Sequence, residues 1–325
     1  MFWEDKCDIK TEFMLAFVKK IVVFICCLGY GYLAAQESLK TAEQIPTIPL
    51  DTLNAATKNG KKVTFYGVNK LTFNQAHFDN WISGGESSFT VLLNTDYRLN
   101  YSNGKGLVWD SHFLLSIGTT YVSGNTYNRK ADDRFEFQSL VGSRLNESWN
   151  YSAFLNAKTQ LFPGYRYEST DGEETREKIS NIFSPLIIEL GLGLYLKKET
   201  LKVNFAPLTG RVILVNRTFT KDLAAGEKYF GLDADENYKL FFGASVTGFF
   251  KTELMKNILL ENKFGFYSNY LEKTQNVDVD WSADIRMKVN EKISCNLTLH
   301  ILYDDDILRR VQFRELFGIG IHWDF

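Results

Sequence analysis

Proline is scarce in this chain, five in 325 residues. Proline lacks an amide donor and is confined to edges and bulges of sheets. Its scarcity beside 26 Phe and 16 Tyr leans towards strands. Cysteine is scarcer, with four residues. Three of them (Cys7, Cys26 and Cys27) fall in an N-terminal stretch expected to be removed, so Cys295 alone remains and an intramolecular disulfide is excluded. A basic excess is also lacking: the formal charge is −2, which argues against a nucleic-acid partner. The stretch removed carries Lys6, Lys10, Lys19 and Lys20 against Glu4, Asp5, Asp8 and Glu12, so the balance survives processing. Nor is there an apolar run of the roughly 20 residues that a membrane-spanning helix needs.

What is present begins with an export signal. Lys19 and Lys20 precede an apolar stretch from Ile21 to Ala35, and Leu33-Ala34-Ala35 before Gln36 has the form of a cleavage site. Residues before Met14 are acidic and mixed, and Met14 is the candidate start. Bulky Ile25 before Cys26, and Cys26 before Cys27, argue against lipid attachment. Residues 36–61, with Pro46, Pro49 and Gly60, have no period and read as a periplasmic linker.

From residue 62 onwards the pattern alternates. Val277, Val279, Trp281, Ala283, Ile285, Met287 and Val289 share one face. Asp278, Asp280, Ser282, Asp284, Arg286, Lys288 and Asn290 share the other. This is the period of two of a strand. Ile293, Cys295, Leu297, Leu299 and Ile301 repeat it against Ser294, Asn296, Thr298 and His300. The chain ends on Phe317, Ile319, Ile321, Trp323 and Phe325 facing one way, with Gly318, Gly320, His322 and Asp324 facing the other. Comparable stretches lie near 62–73, 89–101, 107–121, 132–146, 149–163, 185–198, 201–209, 238–254 and 258–271.

The spacing predicts twelve strands whose connections alternate long and short, the longest being 210–237. Long extracellular loops, short periplasmic turns and an even strand number belong to outer-membrane barrels. The expected fold is therefore all-β, a transmembrane up-and-down antiparallel β-barrel of twelve strands. A charged fraction of 23% and a mean hydropathy of −0.20 fit it, because only alternate residues meet lipid. A soluble sandwich or lipocalin-like barrel also alternates. Against it, the apolar face ends in Tyr101, Trp109, Trp149, Tyr151, Trp323 and Phe325 near one rim, as in an interfacial girdle. The opposite face carries mid-strand charges that a dry core would not tolerate unpaired.

Several ordered segments resemble an uncharacterised family of Bacteroidota outer-membrane barrels, a domain of unknown function. They are Leu71-Thr-Phe-Asn-Gln with Asn80-Trp-Ile-Ser-Gly-Gly-Glu86, Ile179-Ser-Asn-Ile-Phe-Ser-Pro185 and Ala206-Pro-Leu-Thr-Gly-Arg211. Further along come Phe266-Tyr-Ser-Asn-Tyr-Leu271 with Asn276-Val-Asp-Val-Asp-Trp281, then Tyr303-Asp-Asp-Asp-Ile307 and Arg310-Val-Gln-Phe-Arg-Glu315. The resemblance spans about residues 70–325 and implies a location and a fold. It supplies no activity, ligand or catalytic residue.

The candidate functional residues are the lumen-facing charges Asp96, Arg98, Asp110, His112, Asp278, Asp280, Asp284, Arg286, Lys288, His300 and Arg314. If Tyr101 pairs with Leu107, Arg98 faces Asp110 and Asp96 faces His112. Opposite charges so placed brace a narrow interior; the functional alternative is a charged constriction. The acids Asp278, Asp280 and Asp284 head a ladder that ends in Arg286 and Lys288, and could meet inward Lys251 and Lys263. Folding the last hairpin near Ile307 brings His300 towards Arg314.

Asp304-Asp305-Asp306 beside Arg309 and Arg310 reads as a loop ion pair rather than a calcium site, lacking the spacing of an EF-hand. Asp233, Asp235 and Glu236 read likewise. Pro207-Leu-Thr-Gly-Arg211 and the following Val212-Ile-Leu-Val215 have two readings: a bent continuation of the strand, or a plug folded inward. No cofactor, metal site or catalytic residue is expected, and enzyme activity is not. A hydrolase would need Ser beside His on the lipid wall, or paired acids with a His such as His77 at the outer rim.

Two functions remain. One is a small channel or substrate-specific transporter with a mixed-charge lumen; the other is a non-conducting structural or interaction barrel in an envelope complex. An outer-membrane hydrolase is a remote third. The expected partners are outer-membrane lipid, the barrel-assembly machinery during insertion and a small polar solute.

Overall fold

The computed structural model describes residues 61–79, 85–170 and 173–325. The expected export signal, the linker up to Gly60 and the segment Asn80–Gly84 lie outside the described residues.

Fourteen strands follow in order: β1 (Lys62–Ala76), β2 (Ser88–Ser102), β3 (Leu107–Val122), β4 (Arg129–Arg144), β5 (Trp149–Thr159), β6 (Gly164–Thr170) and β7 (Glu173–Ser180). The rest are β8 (Leu186–Lys197), β9 (Leu201–Leu214), β10 (Tyr238–Met255), β11 (Ile258–Asn269), β12 (Asp278–Lys288), β13 (Ile293–Asp304) and β14 (Leu308–Asp324). Twelve of them close into one antiparallel barrel, in the ring order β1-β14-β13-β12-β11-β10-β9-β8-β5-β4-β3-β2. The last strand closes on the first, from Val68 opposite Asp324 to Phe73 opposite Ile319. Closure gives each of the twelve barrel strands a neighbour on both sides, the condition for crossing a bilayer with β-structure.

The two faces differ as the alternation demands. Leu190, Leu192, Leu208, Leu240, Phe313, Phe317 and Ile319 point outwards and are each more than half exposed. So continuous an apolar surface has no place in water; it is the lipid-facing band of a transmembrane barrel. Among the described residues no helix is long and apolar enough to cross a membrane; the strands do the crossing. At the rim that carries the short turns, Phe325 packs against Phe65 and Tyr97, with ring centroids 5.6 and 5.2 Å away. Trp109, Trp149, Tyr151 and Trp323 are exposed in the same belt. A second belt, not read from the sequence, lies at the other rim. There Phe73 stacks on Phe89 at 6.1 Å and Phe242 meets Tyr270 at 5.8 Å.

Four expectations are corrected. Tyr101 pairs with Trp109, not Leu107, so Arg98 stands opposite His112 and Asn100 opposite Asp110. The turn is centred one residue further along, with Ser102 opposite Val108, and the Asn103 side chain holds it by accepting hydrogen bonds from the Lys105 and Leu107 amides, at 2.8 and 2.9 Å. A slip of two residues keeps every side chain on its face. The last strand begins at Leu308, inside the connection expected over 304–310, which leaves only Asp305–Ile307 and breaks the long–short alternation there. Residues 164–184 are not a plain loop: β6 and β7 form a separate hairpin.

The fourth concerns 210–237. The strand continues to Leu214, as the bent-strand reading had it. Between Gly243 and Ser245 of β10, β9 advances three residues, from Thr209 to Ala206. This is a β-bulge, the sheet position that tolerates proline, and it holds Pro207. The extra residue reverses parity. Ala206 is buried inwards, Leu208 is 54% exposed outwards, and Thr209 is again fully buried. Arg211 and Ile213 consequently face the lumen. On the neighbouring strand the bulge requires glycine, since a Cβ on Gly193 would lie 2.1 Å from the Phe205 carbonyl oxygen.

Candidate functional site

Alternation puts charges inside the barrel, and the narrow ring lets them reach strands that are not neighbours. Arg98 on β2 holds Asp96 at 3.0 Å and Glu261 of β11 at 3.1 Å. β1, β14, β13 and β12 separate these two strands in the ring, so the bridge crosses the lumen. Lys251 binds Glu261 at 2.8 Å, Lys263 reaches Asp96 at 3.4 Å, and His112 Nε2 lies 3.0 Å from Asp96. The Arg98 guanidinium also covers the Phe249 ring at 4.4 Å.

Other levels are crossed too. Asp110 on β3 accepts from the Tyr195 hydroxyl at 2.7 Å and Lys197 at 2.6 Å, both on β8, and lies 3.8 Å from Lys202 of β9. Asp280 on β12 binds Lys158 of β5 at 2.5 Å and His300 at 2.9 Å. Arg211 on β9 joins Glu189 at 2.9 Å to Asp278 of β12 at 2.6 Å, and stacks 3.5 Å over Tyr267. Arg314 on β14 pairs with Asp132 of β4, which also accepts from Ser116. Each carboxylate would cost several kcal/mol if buried alone; the cations opposite offset that cost and tie the walls together.

The expected site residues thus divide. Asp96, Arg98, His112, Asp110, Asp278, Asp280, His300 and Arg314 belong to cross-lumen clusters, and His300 does stand opposite Arg314. The expected Arg98–Asp110 pair does not form, because the register slip and Lys197 separate them. Asp96 still meets His112, now diagonally. Lys251 and Lys263 do not meet the β12 acids; Glu261 and Asp96 hold them instead. Asp284 accepts from Thr298 at 2.7 Å. Arg286 lies 4.0 Å from Asp324, and Lys288 sits at the end of its strand.

Asp305 is bound by Lys273 and Asn276 from the preceding loop, at 2.9 and 2.8 Å, a pairing that links two loops. In the longest loop Asp235 pairs with Arg217 at 3.0 Å and Asp233 with Lys228 at 3.5 Å. Among the described residues no three His, Cys, Asp or Glu side chains are grouped to hold a metal.

Sequence reasoning missed Lys158, Glu189, Tyr195, Lys202 and Glu261. All stand at inward positions, so parity could have flagged them individually, but nothing in the linear order pairs β5 with β12. It could not place Arg211, whose face depends on the bulge.

Towards the long-loop rim the inner wall turns apolar. Ile213, Phe241 and Tyr267 form a buried cluster with Val215 and Leu232 of the 215–237 loop, and Ile187, Tyr229 and Phe230 pack on it. Leu232 is fully buried. Phe230 (φ 51°) and Gly231 (φ 80°) make a left-handed turn. Of the two readings of 207–215 the bent strand holds, since β9 runs through to Leu214; the residues that tuck inwards are Tyr229, Phe230 and Leu232 of the later loop. Below it lies an interior cavity of about 460 Å³, lined by Phe154, Lys158, Phe230, Phe249, Asp280 and His300 among others.

A family described as "Protein of unknown function (DUF3078)" matches residues 73–165, from β1 into the hairpin. No curated protein matches the chain. Among solved structures, the translocator domain of the autotransporter NalP from Neisseria meningitidis is similar at 9% identity and a TM-score of 0.32, covering 93% of this chain and 97% of that one. An outer membrane channel from Pseudomonas putida F1 shows 14% identity, a TM-score of 0.34, and coverage of 87% and 99%. OmpT, an outer membrane protein of Vibrio cholerae, shows 8% identity, a TM-score of 0.26, and coverage of 84% and 100%. At such scores these likenesses add nothing to what the strand pairing and the outward apolar band establish: a transmembrane barrel that carries a domain-of-unknown-function match near its start.

Proposed function

We propose that this chain is an outer-membrane barrel closed at rest, a structural or interaction component of a Gram-negative envelope of the Bacteroidota type. The supporting observation is the set of ion pairs that join opposite walls at several levels: Asp110 with Lys197, Arg98 with Glu261, Lys158 with Asp280, and Arg211 with Asp278. Hydrated solutes need a continuous path, and these bridges stand across it. In this reading the short turns face the periplasm, the barrel-assembly machinery inserts the chain, and no catalytic step is assigned to it. The β6–β7 hairpin supplies a surface for a protein partner. Arg129 covers Tyr167 at 3.6 Å and Arg176 covers Tyr127 and Tyr165 at 4.4 Å, and Arg and Tyr are enriched at energetic centres of interfaces.

Planar-bilayer recording of the purified mature protein tests this. The expected result is no steady unit conductance; reproducible wild-type openings of one size would overturn it. The interior cavity favours a second reading, a transporter that occludes a small polar solute between the mid-lumen bridges and the Phe230 cap. Uptake of such a solute into loaded vesicles, without steady conductance, would select it.

A further inference from the structure

The interior cavity of about 460 Å³ falls within the roughly 300–1,000 Å³ of small-molecule sites, and its lining narrows what fits there. Six of the lining side chains are Arg or Lys and six are Asp or Glu. Each of the six basic ones has a carboxylate within 4 Å. A charged solute would therefore lose its hydration in the cavity without meeting an unpaired counter-charge.

Apolar side chains supply much of the remaining wall. Leu140 of β4, Phe154 of β5, Ile187 of β8, Phe249 of β10 and Leu302 of β13 line the cavity, together with Phe230 of the longest loop. The five strand residues stand at inward positions, in step with the lumen charges of their own strands. Leu140 is directly opposite Phe154. Apolar surface facing a water-sized space is stabilised when an apolar body displaces the water.

One polar group there is short of partners. Among the described residues Arg134 has only the Glu136 carboxylate within 4 Å, at 3.7 Å, which is too far for a hydrogen bond. Its Nε is buried without an acceptor. The other two lining arginines are engaged, Arg98 by Asp96 and Glu261 and Arg211 by Glu189 and Asp278. Arg134 can donate to an added oxygen without breaking a bond it already makes.

We propose that the cavity binds a neutral small molecule with an apolar body and one oxygen acceptor, the body among the aromatic and aliphatic side chains and the oxygen at Arg134. This rests on the cavity of the transporter reading and narrows its solute class, but it does not require transport.

Equilibrium dialysis of phenylbutanol against the full mature protein in lipid nanodiscs, with empty nanodiscs as the blank, tests it. The wild type is expected to retain phenylbutanol above the blank. Phenylbutyrate and phenylbutylamine, charged molecules with the same body, should bind about tenfold more weakly or worse. Thr247→Trp places a large side chain at a lining position and should weaken phenylbutanol binding by about tenfold or more. Arg134→Gln should weaken phenylbutanol but not butylbenzene, which has no oxygen. Leu240→Ala, on the exposed lipid face, should change nothing. Folding of each variant is checked by heat-modifiable gel mobility. No phenylbutanol retained by folded wild type, equal affinity for the neutral and charged molecules, or undiminished binding by folded Thr247→Trp would overturn the proposal. Binding without uptake into vesicles would keep this site and remove the transporter reading; uptake of a polar solute without phenylbutanol binding would do the reverse.

Discussion

Arg98 is held by two carboxylates, Asp96 on its own strand and Glu261 across the lumen, at 3.0 and 3.1 Å. Its side chain is 12% exposed and that of Glu261 17%. Removing one partner of a buried ion pair leaves the other charge stranded, typically at a cost of 3–5 kcal/mol. Arg98→Met should therefore lower barrel stability by about 3 kcal/mol, read as an earlier urea midpoint in detergent. The same variant should raise conductance in a planar bilayer if the bridge closes the lumen; a silent Arg98→Met barrel with unchanged midpoint would contradict both roles. Cys295 offers a second residue-level check. It lies on β13 between the buried, inward Ser294 and Asn296, so its thiol faces lipid. A membrane-impermeant maleimide should leave it unlabelled in proteoliposomes, and rapid labelling would reverse the facing of β13.

At the scale of the element, the bulge in β9 decides which side of the wall Arg211 joins. Gly193→Val should abolish the heat-modifiable folded form, because the new side chain would overlap the Phe205 carbonyl and the Ala206 Cα, 2.1 and 2.6 Å from the Cβ. Gly210→Ala, with nothing nearer than 3.9 Å, should be tolerated.

The β6–β7 hairpin is tied down differently, through Glu174, which accepts from the Thr126 and Tyr127 amides at 2.9 and 3.1 Å and from Arg129. Desolvation pushes its pKa up, but the Arg129 hydrogen bond and the two amides outweigh that and hold it below the ordinary glutamate value. A depressed pKa contributes stability above the unfolded value, lost as pH falls through the folded one. Amide exchange of β6 and β7 should accelerate on acidification while barrel strands stay protected. Glu174→Gln should show the fast exchange already at neutral pH.

At the scale of the whole molecule, closure and alternation together define one apolar exterior and one charged interior. Much of this is legible in the sequence because a strand's period of two is strictly local: Val277 to Asn290 sorts itself into two faces without any partner. The C-terminal strand and the twelve-strand count follow from the same local rule. The hairpin of β6 and β7 escaped it, since Glu173–Ser180 is polar on both faces and is ordered by Arg–Tyr stacking rather than by an apolar side. The Arg98–Asp110 pair failed because the position of the turn, held by Asn103, fixes register while leaving parity intact.

The sequence by itself determined the class, the facing of most residues and the inventory of lumen charges, because these depend on neighbours along the chain. Only the tertiary structure decided which charge meets which. Lys158 with Asp280, and Arg98 with Glu261, are separated by long stretches of chain and by half a ring of strands, and only closure brings them within 4 Å.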